Sequence, residues 1–281
     1  MSTFKVKSFA KINLALNVVE KKSSLHKIET IVSFINLHDK ILIKEIKSKK
    51  HNIFFTGKFS KNIGKKNTVN KLMQILEKKR LLKNRKFYIK INKLIPSKAG
   101  LGGGSMNAAN ILRFFKKKGI IKSSEKELFR ISNSIGSDVI LGLNSIDTII
   151  NSKNRIKRFK NNKKFHTLIV KPNFGCSTKY IYSKVIKFNK PQLNKISKRM
   201  FNFDNLRKMN NSLEEIALSK YPKLRILKSY LITLSKPLFV RMTGSGSALV
   251  AYYLSKERCE KAKKQFNRKF KNYWCISSKT I

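Results

Sequence analysis

Gly100, Gly102, Gly103 and Gly104 fall within five residues of one another, in the stretch Pro96-Ser97-Lys98-Ala99-Gly100-Leu101-Gly102-Gly103-Gly104-Ser105-Met106. Glycine lets backbone N–H groups approach an anion with no Cβ in the way, and a helix N-terminus adds a favourable dipole. The chemistry implied is the cradling of a phosphate chain. A Walker A loop is excluded, because no Gly-Lys-Ser/Thr follows, and Ser105 stands where the last glycine of a dinucleotide fingerprint belongs. On the glycines alone a plain tight turn is an equal reading. The helix that must begin near Ser105 tips the balance toward phosphate.

A second small-residue loop, Thr243-Gly244-Ser245-Gly246-Ser247, joins two apolar runs. Alone it reads as an ordinary turn; paired with the first loop it would complete a site. Aspartates are scarce: Asp39, Asp138, Asp147 and Asp204. Asp138 follows a helix end at Gly136-Ser137, a place where a lone Asp is more often a cap. Lys11 lies between Ala10 and Ile12 in an otherwise apolar strand, so it is expected to face inward and to need an anionic partner. Asp138 would serve, and the carboxylate could then accept a proton from a hydroxyl attacking a phosphoryl group. His26, His38, His51 and His166 show no metal-ligand spacing, and no metal site is expected. Cys176, Cys259 and Cys275 form no CxxC pair and read as small apolar side chains in a reducing compartment.

The elements that must position these residues follow from periodicity. Phe4 to Val19 reads as one or two strands, with further strands at Lys27–Ile35, Lys40–Ile46, Asn52–Thr56 and Phe87–Ile95. Thr68–Lys79 shows a helical face through Val69, Leu72, Met73, Ile75 and Leu76. The helix after the glycine loop presents Met106, Ala109, Ile111, Leu112 and Phe115 and ends at Lys116-Lys117-Lys118-Gly119. Ser124 and Glu127 open the next helix as a capping box, and Gly136 closes it. The polar stretch Asn151–Lys164 is the expected boundary, as a hairpin. Beyond it come strands at Thr167–Lys171, Phe239–Met242 and Ala248–Tyr253, with helices at Asn211–Lys220 and Lys256–Phe270. Strands first and helices later predict an α+β fold rather than a doubly wound sheet.

The chain has 281 residues, long enough for one large domain or two of ordinary size. Lys plus Arg number 64 against 14 Asp plus Glu, a net charge of +50, while 41% hydrophobic residues exclude global disorder. So basic a chain suggests a polyanionic partner. However, Lys far outnumbers Arg, is spread over the whole chain and lacks interleaved aromatics, so no dedicated nucleic-acid partner is expected. No apolar stretch approaches the roughly 18 residues of a membrane span. Lys5, Lys7 and Lys11 break any signal-peptide core, and a cytoplasmic protein is expected.

Three motifs stand in order: Ala10-Lys11-Ile12-Asn13-Leu14-Ala15-Leu16, then Pro96 to Ala109, then Met242-Thr243-Gly244-Ser245-Gly246-Ser247. With His26 and Gly136-Ser137-Asp138-Val139 they resemble the GHMP kinase superfamily over nearly the whole chain. Pro172, Thr178 and Tyr182 fit the same likeness. The resemblance implies an N-terminal domain like ribosomal protein S5 domain 2, residues 1–156, and a ferredoxin-like C-terminal domain, residues 157–281. It implies an ATP-dependent kinase, Mg²⁺ arriving with ATP, acting on the 2-hydroxyl of a cytidine-diphosphate-linked methylerythritol in isoprenoid precursor synthesis. Asp138 would be the catalytic base and Lys11 its partner, and Pro96 to Met106 would hold the ATP phosphates. Asn13, His26, Thr178 and Tyr182 would touch substrate, His26 at the cytosine edge and Tyr182 on its ring. Gly244, Ser245 and Gly246 would form the second glycine loop. Ser24-Leu25-His26 departs from the usual Gly-Tyr-His and removes one aromatic wall. Met106 leaves Ser105 the sole hydroxyl at the helix start, and Ser212 stands where Asp is usual. The competing readings are a kinase for mevalonate or homoserine, an S5-like RNA-binding protein, and a degenerate kinase.

Overall fold

Two long strands open the chain. The computed structural model describes residues 2–23, 25–61, 63–160 and 164–281. The alternation that begins at Phe4 is a single strand, β1 (Thr3–Lys22), whose middle is buried on both faces from Ala10 to Val18, which is why the alternation fades there. The expected strands at 27–35 and 40–46 are also one, β2 (Leu25–Ile46), because no Gly or Pro interrupts residues 36–39. The chain divides into two compact units. One comprises Met1–Ala10, Leu37–Ser97 and Gly102–Ser145; the other comprises Lys11–Asn36, Lys98–Leu101 and Ile146–Ile281. β1 and β2 each supply residues to both.

In the first unit the second half of β2 pairs antiparallel with β4 (Lys86–Asn92), Ile41 opposite Ile91 and Ile43 opposite Ile89. β3 (Asn52–Thr56) runs parallel on the far side of β4. Ile41, Ile43, Phe87, Ile89 and Ile91 are buried with the apolar faces of α1 (Thr68–Lys78) and α2 (Gly103–Lys117). Phe87 meets Phe115 of α2 at 4.7 Å between ring centroids. Asn67 caps α1 by accepting from Val69 N and Asn70 N. Ser124 caps α3 (Glu125–Ile135) through Glu127 N, as the capping pattern predicts. The short α4 (Val139–Gly142) follows, and Gly142 lies so close to Met106 and Ala109 of α2 that a Cβ there would meet them at 2.9 Å and 2.7 Å.

The expected strand to Ile95 stops at Asn92. Leu94 N and Ile95 N donate instead to the buried carboxylate of Asp39, at 2.7 Å and 2.8 Å.

The second unit contains the hairpin of β5 (Asp147–Ile150) and β6 (Ile156–Phe159), with β5 against Thr30–Val32 of β2. Residues 161–163, within the expected boundary stretch, lie outside the described residues. β7 (His166–Lys171), β8 (Phe239–Met242), β9 (Leu249–Tyr253) and β10 (Trp274–Lys279) form an antiparallel sheet in the order β10-β7-β9-β8. With helices between β7 and β8 and between β9 and β10, this is the split βαβ arrangement of a ferredoxin-like domain. The helices are α5 (Thr178–Ser183), α6 (Phe203–Lys208), α7 (Glu214–Lys220), α8 (Pro222–Thr233) and α9 (Lys256–Lys269). α8 begins at Pro222, a favoured first helical position, and buries Leu224, Leu227 and Leu231. β10 escapes pattern reading because its residues Trp274 to Ser278 are only half-buried, so no apolar run marks it.

Candidate active site

The glycine loop is anchored at both ends within the first unit. Asp39, fully buried, accepts from Leu94 N, Ile95 N and Asn107 Nδ2 (3.0 Å) and pairs with Lys93 Nζ. One carboxylate thus holds the chain entering the loop and the helix leaving it. Gly102, at φ 69°, is the N-cap of α2, so the helix starts two residues ahead of the expected Ser105. Gly103 and Gly104 then form the first turn, and the N–H groups of residues 103–105 are those a helix start leaves without intrahelical partners. A Cβ on Gly103 would lie 3.0 Å from Ile95 Cγ2, a contact so tight that the Ile95 side chain would have to give way. Ser105 is not the sole hydroxyl here: Thr68 Oγ1 donates to Gly104 O at 2.7 Å. Thr68 escapes sequence reasoning because it is 36 residues away, at the start of another helix.

Residues 98–101 belong to the second unit and run beside the second glycine loop. Lys98 O accepts from Ser247 N (3.3 Å), Ala99 O from Ala248 N (3.2 Å) and Gly100 O from Thr243 Oγ1 (3.1 Å). The two small-residue loops are hydrogen-bonded to each other in this segment. Gly100 is at φ +73°, and a Cβ there would collide with the Thr243 carbonyl. Gly119, at φ +65°, has open space around it. Gly119→Ala is therefore expected to cost only the left-handed penalty, about 1–2 kcal/mol. Gly100→Ala is expected to cost more and to displace Thr243; equal losses for the two in denaturant titrations would refute the collision.

Lys11 does face inward, at 3% exposure, and its Nζ donates to Asn13 Oδ1 at 2.7 Å. Lys11 N donates to Leu101 O (3.1 Å), so the lysine strand is stitched to the glycine loop. Asn13 is held on all sides, its N donating to Thr243 Oγ1 (3.0 Å) and its Nδ2 to Thr30 Oγ1 (2.9 Å). Asn211 Nδ2 donates to Met242 O (2.8 Å) and Gly244 O (2.7 Å), fixing the second loop from below. That task keeps Asn211 out of the helix expected at 211–220, and α7 starts at Glu214.

Thr178 and Tyr182 are four residues apart on α5 and so share a face. Thr178 Oγ1 lies 2.8 Å from Ser245 Oγ of the second loop, while the Tyr182 ring is 5.1 Å from that of His26. Phe188, 43% exposed in a segment without regular structure, places its ring 6.5 Å from His26. His26 Nε2 is buried with no hydrogen-bond partner among the described residues. Burial, and then Lys21, hold the His26 pKa below its ordinary value. A buried ring nitrogen left unpaired beside two aromatic rings is chemically able to exchange a hydrogen bond with a flat ligand. Sequence reasoning missed Phe188 because a lone aromatic among Lys, Asn and Pro carries no periodic signal. Ser24 and the Leu25 side chain, with the expected missing wall, lie outside the described residues.

In the first unit Asp138 stands half-buried at the N-cap of α4. Among the described residues no group of three or more His, Cys, Asp and Glu could hold a metal ion. Burial pushes the Cys176 thiol up to about 11 and those of Cys259 and Cys275 to about 12, so none is a nucleophile at neutral pH. No helix among the described residues is long and apolar enough to cross a membrane.

A glycine loop opening a helix, a second loop bonded to its first half and an inward lysine in a two-domain α+β fold define a small-molecule kinase. The chain belongs to the GHMP kinases: the family's N terminal domain matches residues 67–150 and its C terminal domain residues 188–272. It is 58% identical to 4-diphosphocytidyl-2-C-methyl-D-erythritol kinase of Pelagibacter ubique (strain HTCC1062), over all of both chains. The identity to the Petrotoga mobilis (strain DSM 10674 / SJ95) enzyme of that name is 33%, over 87% of this chain and 96% of the relative. A crystal structure of 4-(cytidine 5'-diphospho)-2C-methyl-D-erythritol kinase superposes with a TM-score of 0.79, covering 99% of each chain at 22% identity, a likeness of fold. Membership of this kinase family carries the use of ATP.

Proposed function

We propose that this chain transfers the γ-phosphoryl group of ATP to the 2-hydroxyl of 4-diphosphocytidyl-2-C-methyl-D-erythritol, a step of non-mevalonate isoprenoid precursor synthesis in the cytoplasm. The observation that carries this reading is the 58% identity, end to end, with a relative bearing that activity in its name. The unpaired Nε2 of His26 beside Tyr182 and Phe188 supports a nucleobase end on the substrate.

Direct in-line transfer asks the protein for positioning and charge stabilisation, with little covalent work. The loop Pro96–Met106 receives the ATP phosphates, with the backbone N–H groups of 103–105 turned to the anion. Asp138 takes the proton of the attacking hydroxyl, and Lys11, held by Asn13, is the catalytic cation. Thr178 and the loop Gly244-Ser245-Gly246 bind the substrate chain, whereas His26 reads the base edge. The donor set suits Mg²⁺ that arrives on the nucleotide: hydroxyls of Ser105 and Thr68, and no acidic cage among the described residues. Bound there, the ion would neutralise charge on the phosphates.

A product assay with ATP and this substrate, beside mevalonate and homoserine, tests the proposal. Turnover of the cytidine-linked alcohol alone, inhibited by added CDP, is expected; turnover of another alcohol in its place would overturn it. Neutral His26 offers the base its Nε2, as an N–H or as a lone pair according to tautomer. Its KM for substrate is therefore expected to stay flat from pH 8 down to about 6.5, the ordinary histidine value, and to rise as pH falls through the lowered pKa. The His26→Asn variant should lose that rise, and a KM still climbing with acid in the variant would remove His26 from the role.

A further inference from the structure

The Phe188 ring is carried by residues 185–197, which form neither helix nor strand up to Ser197, so something other than a backbone ladder must hold it beside His26. Three residues beyond His26 on β2 lies Glu29, fully buried. Its carboxylate accepts from Gln192 N at 2.7 Å, from Leu193 N at 3.2 Å and 3.3 Å, from Ser152 N at 3.2 Å and from Asn17 Nδ2 at 3.4 Å. Charge-assisted bonds of this kind are the stronger class of hydrogen bond. The irregular segment is tied down again nearby. Asn189 N donates to Val18 O (3.0 Å), Asn17 Nδ2 to Lys190 O (3.1 Å), and Asn189 Nδ2 to Ser212 Oγ (3.0 Å), which in turn donates to Asn17 Oδ1 (3.2 Å). Ser212 thus has work as a hydroxyl that both accepts and donates.

We propose that Glu29 is a positioning residue for base recognition: it fastens the segment carrying Phe188 to the strand carrying His26, so that the ring stands as a wall of the base site. This rests on the nucleobase reading given above. Glu29 touches no substrate, and its effect must pass through the segment it binds. Replacing one carboxylate oxygen by an NH₂, as in Glu29→Gln, sets donor against the Gln192, Leu193 or Ser152 N–H groups and loosens the segment at nearly constant volume.

The test is CDP binding by equilibrium dialysis together with steady-state kinetics on the full chain. Glu29→Gln is expected to weaken CDP about tenfold and to raise KM for the cytidine-linked substrate equally, with kcat and KM for ATP within about twofold. Phe188→Leu, at an exposed position, should weaken CDP similarly with an unchanged melting temperature. In the double variant the losses should not add, since Glu29 acts through Phe188. CDP affinity unchanged in Phe188→Leu overturns the proposal even if Glu29→Gln fails to fold. So does a uniform decline of kcat, both KM values and melting temperature in Glu29→Gln, which is the signature of a purely structural residue. Wild-type protein that binds no CDP and leaves the substrate unphosphorylated sinks the nucleobase reading itself, and this inference with it. Wild-type binding with indifferent variants sinks the inference alone.

Discussion

Asp138→Asn is expected to lower kcat at least about a hundredfold, the loss typical of removing a general base, with little change in the affinity for ATP. Asparagine matches the size of aspartate and suits the start of α4, where residue 138 is the N-cap, so the helix should survive the change. On the proposed mechanism, what is lost is the ability to take up a proton as the substrate hydroxyl attacks. Melting temperature and nucleotide binding therefore serve as controls, and single-turnover kinetics as the readout. Turnover within a few fold of wild type, with the fold intact, would take the base role away from Asp138. Lys11→Met should reduce the rate comparably and weaken ATP modestly. Lys11 is buried and its ammonium bonds to Asn13 Oδ1, so that variant also leaves this amide oxygen with the longer bond from Thr243 Oγ1 in place of a charged donor.

Asp39→Ala is expected to destabilise the first unit by about 3–5 kcal/mol, the usual consequence of stripping one partner from a buried ion pair. Lys93, 3% exposed, would be left without its carboxylate, and the N–H groups of Leu94 and Ile95 and the Asn107 amide would lose their acceptor. Because these groups flank the glycine loop on both sides, nucleotide binding should fail together with stability. Hydrogen exchange in β4 and α2 is the appropriate measurement, since it reads the opening of the first unit directly. Asp39→Ala combined with Lys93→Met should recover much of the loss, because the stranded charge is gone. A deficit under about 1 kcal/mol in the single variant would show that the carboxylate is no anchor.

Local chemistry determined a good part of this protein from the sequence alone. The glycine cluster after a strand, the Ser124 cap, the left-handed Gly119 and the apolar faces of α1 and α2 act through neighbours within about one helical turn, so residue types suffice to read them. The inward turn of Lys11 was legible for the same reason: a cation amid buried apolar positions has few other places to go. Pairings across the chain were not legible. Asn13 meets Thr243 over 230 residues, Glu29 meets Gln192 over 163, and Asp39 meets Leu94 over 55. Each is a polar side chain whose task is set by which backbone N–H or hydroxyl the fold brings to it, and no periodicity announces that. The tertiary structure also decided that Asp39, one of four aspartates with no local signal of importance, is an anchor of the glycine loop. Likewise it set Phe188, an isolated aromatic in an irregular segment, beside His26. Buried polar groups must find partners wherever folding places them, and only the assembled chain names those partners.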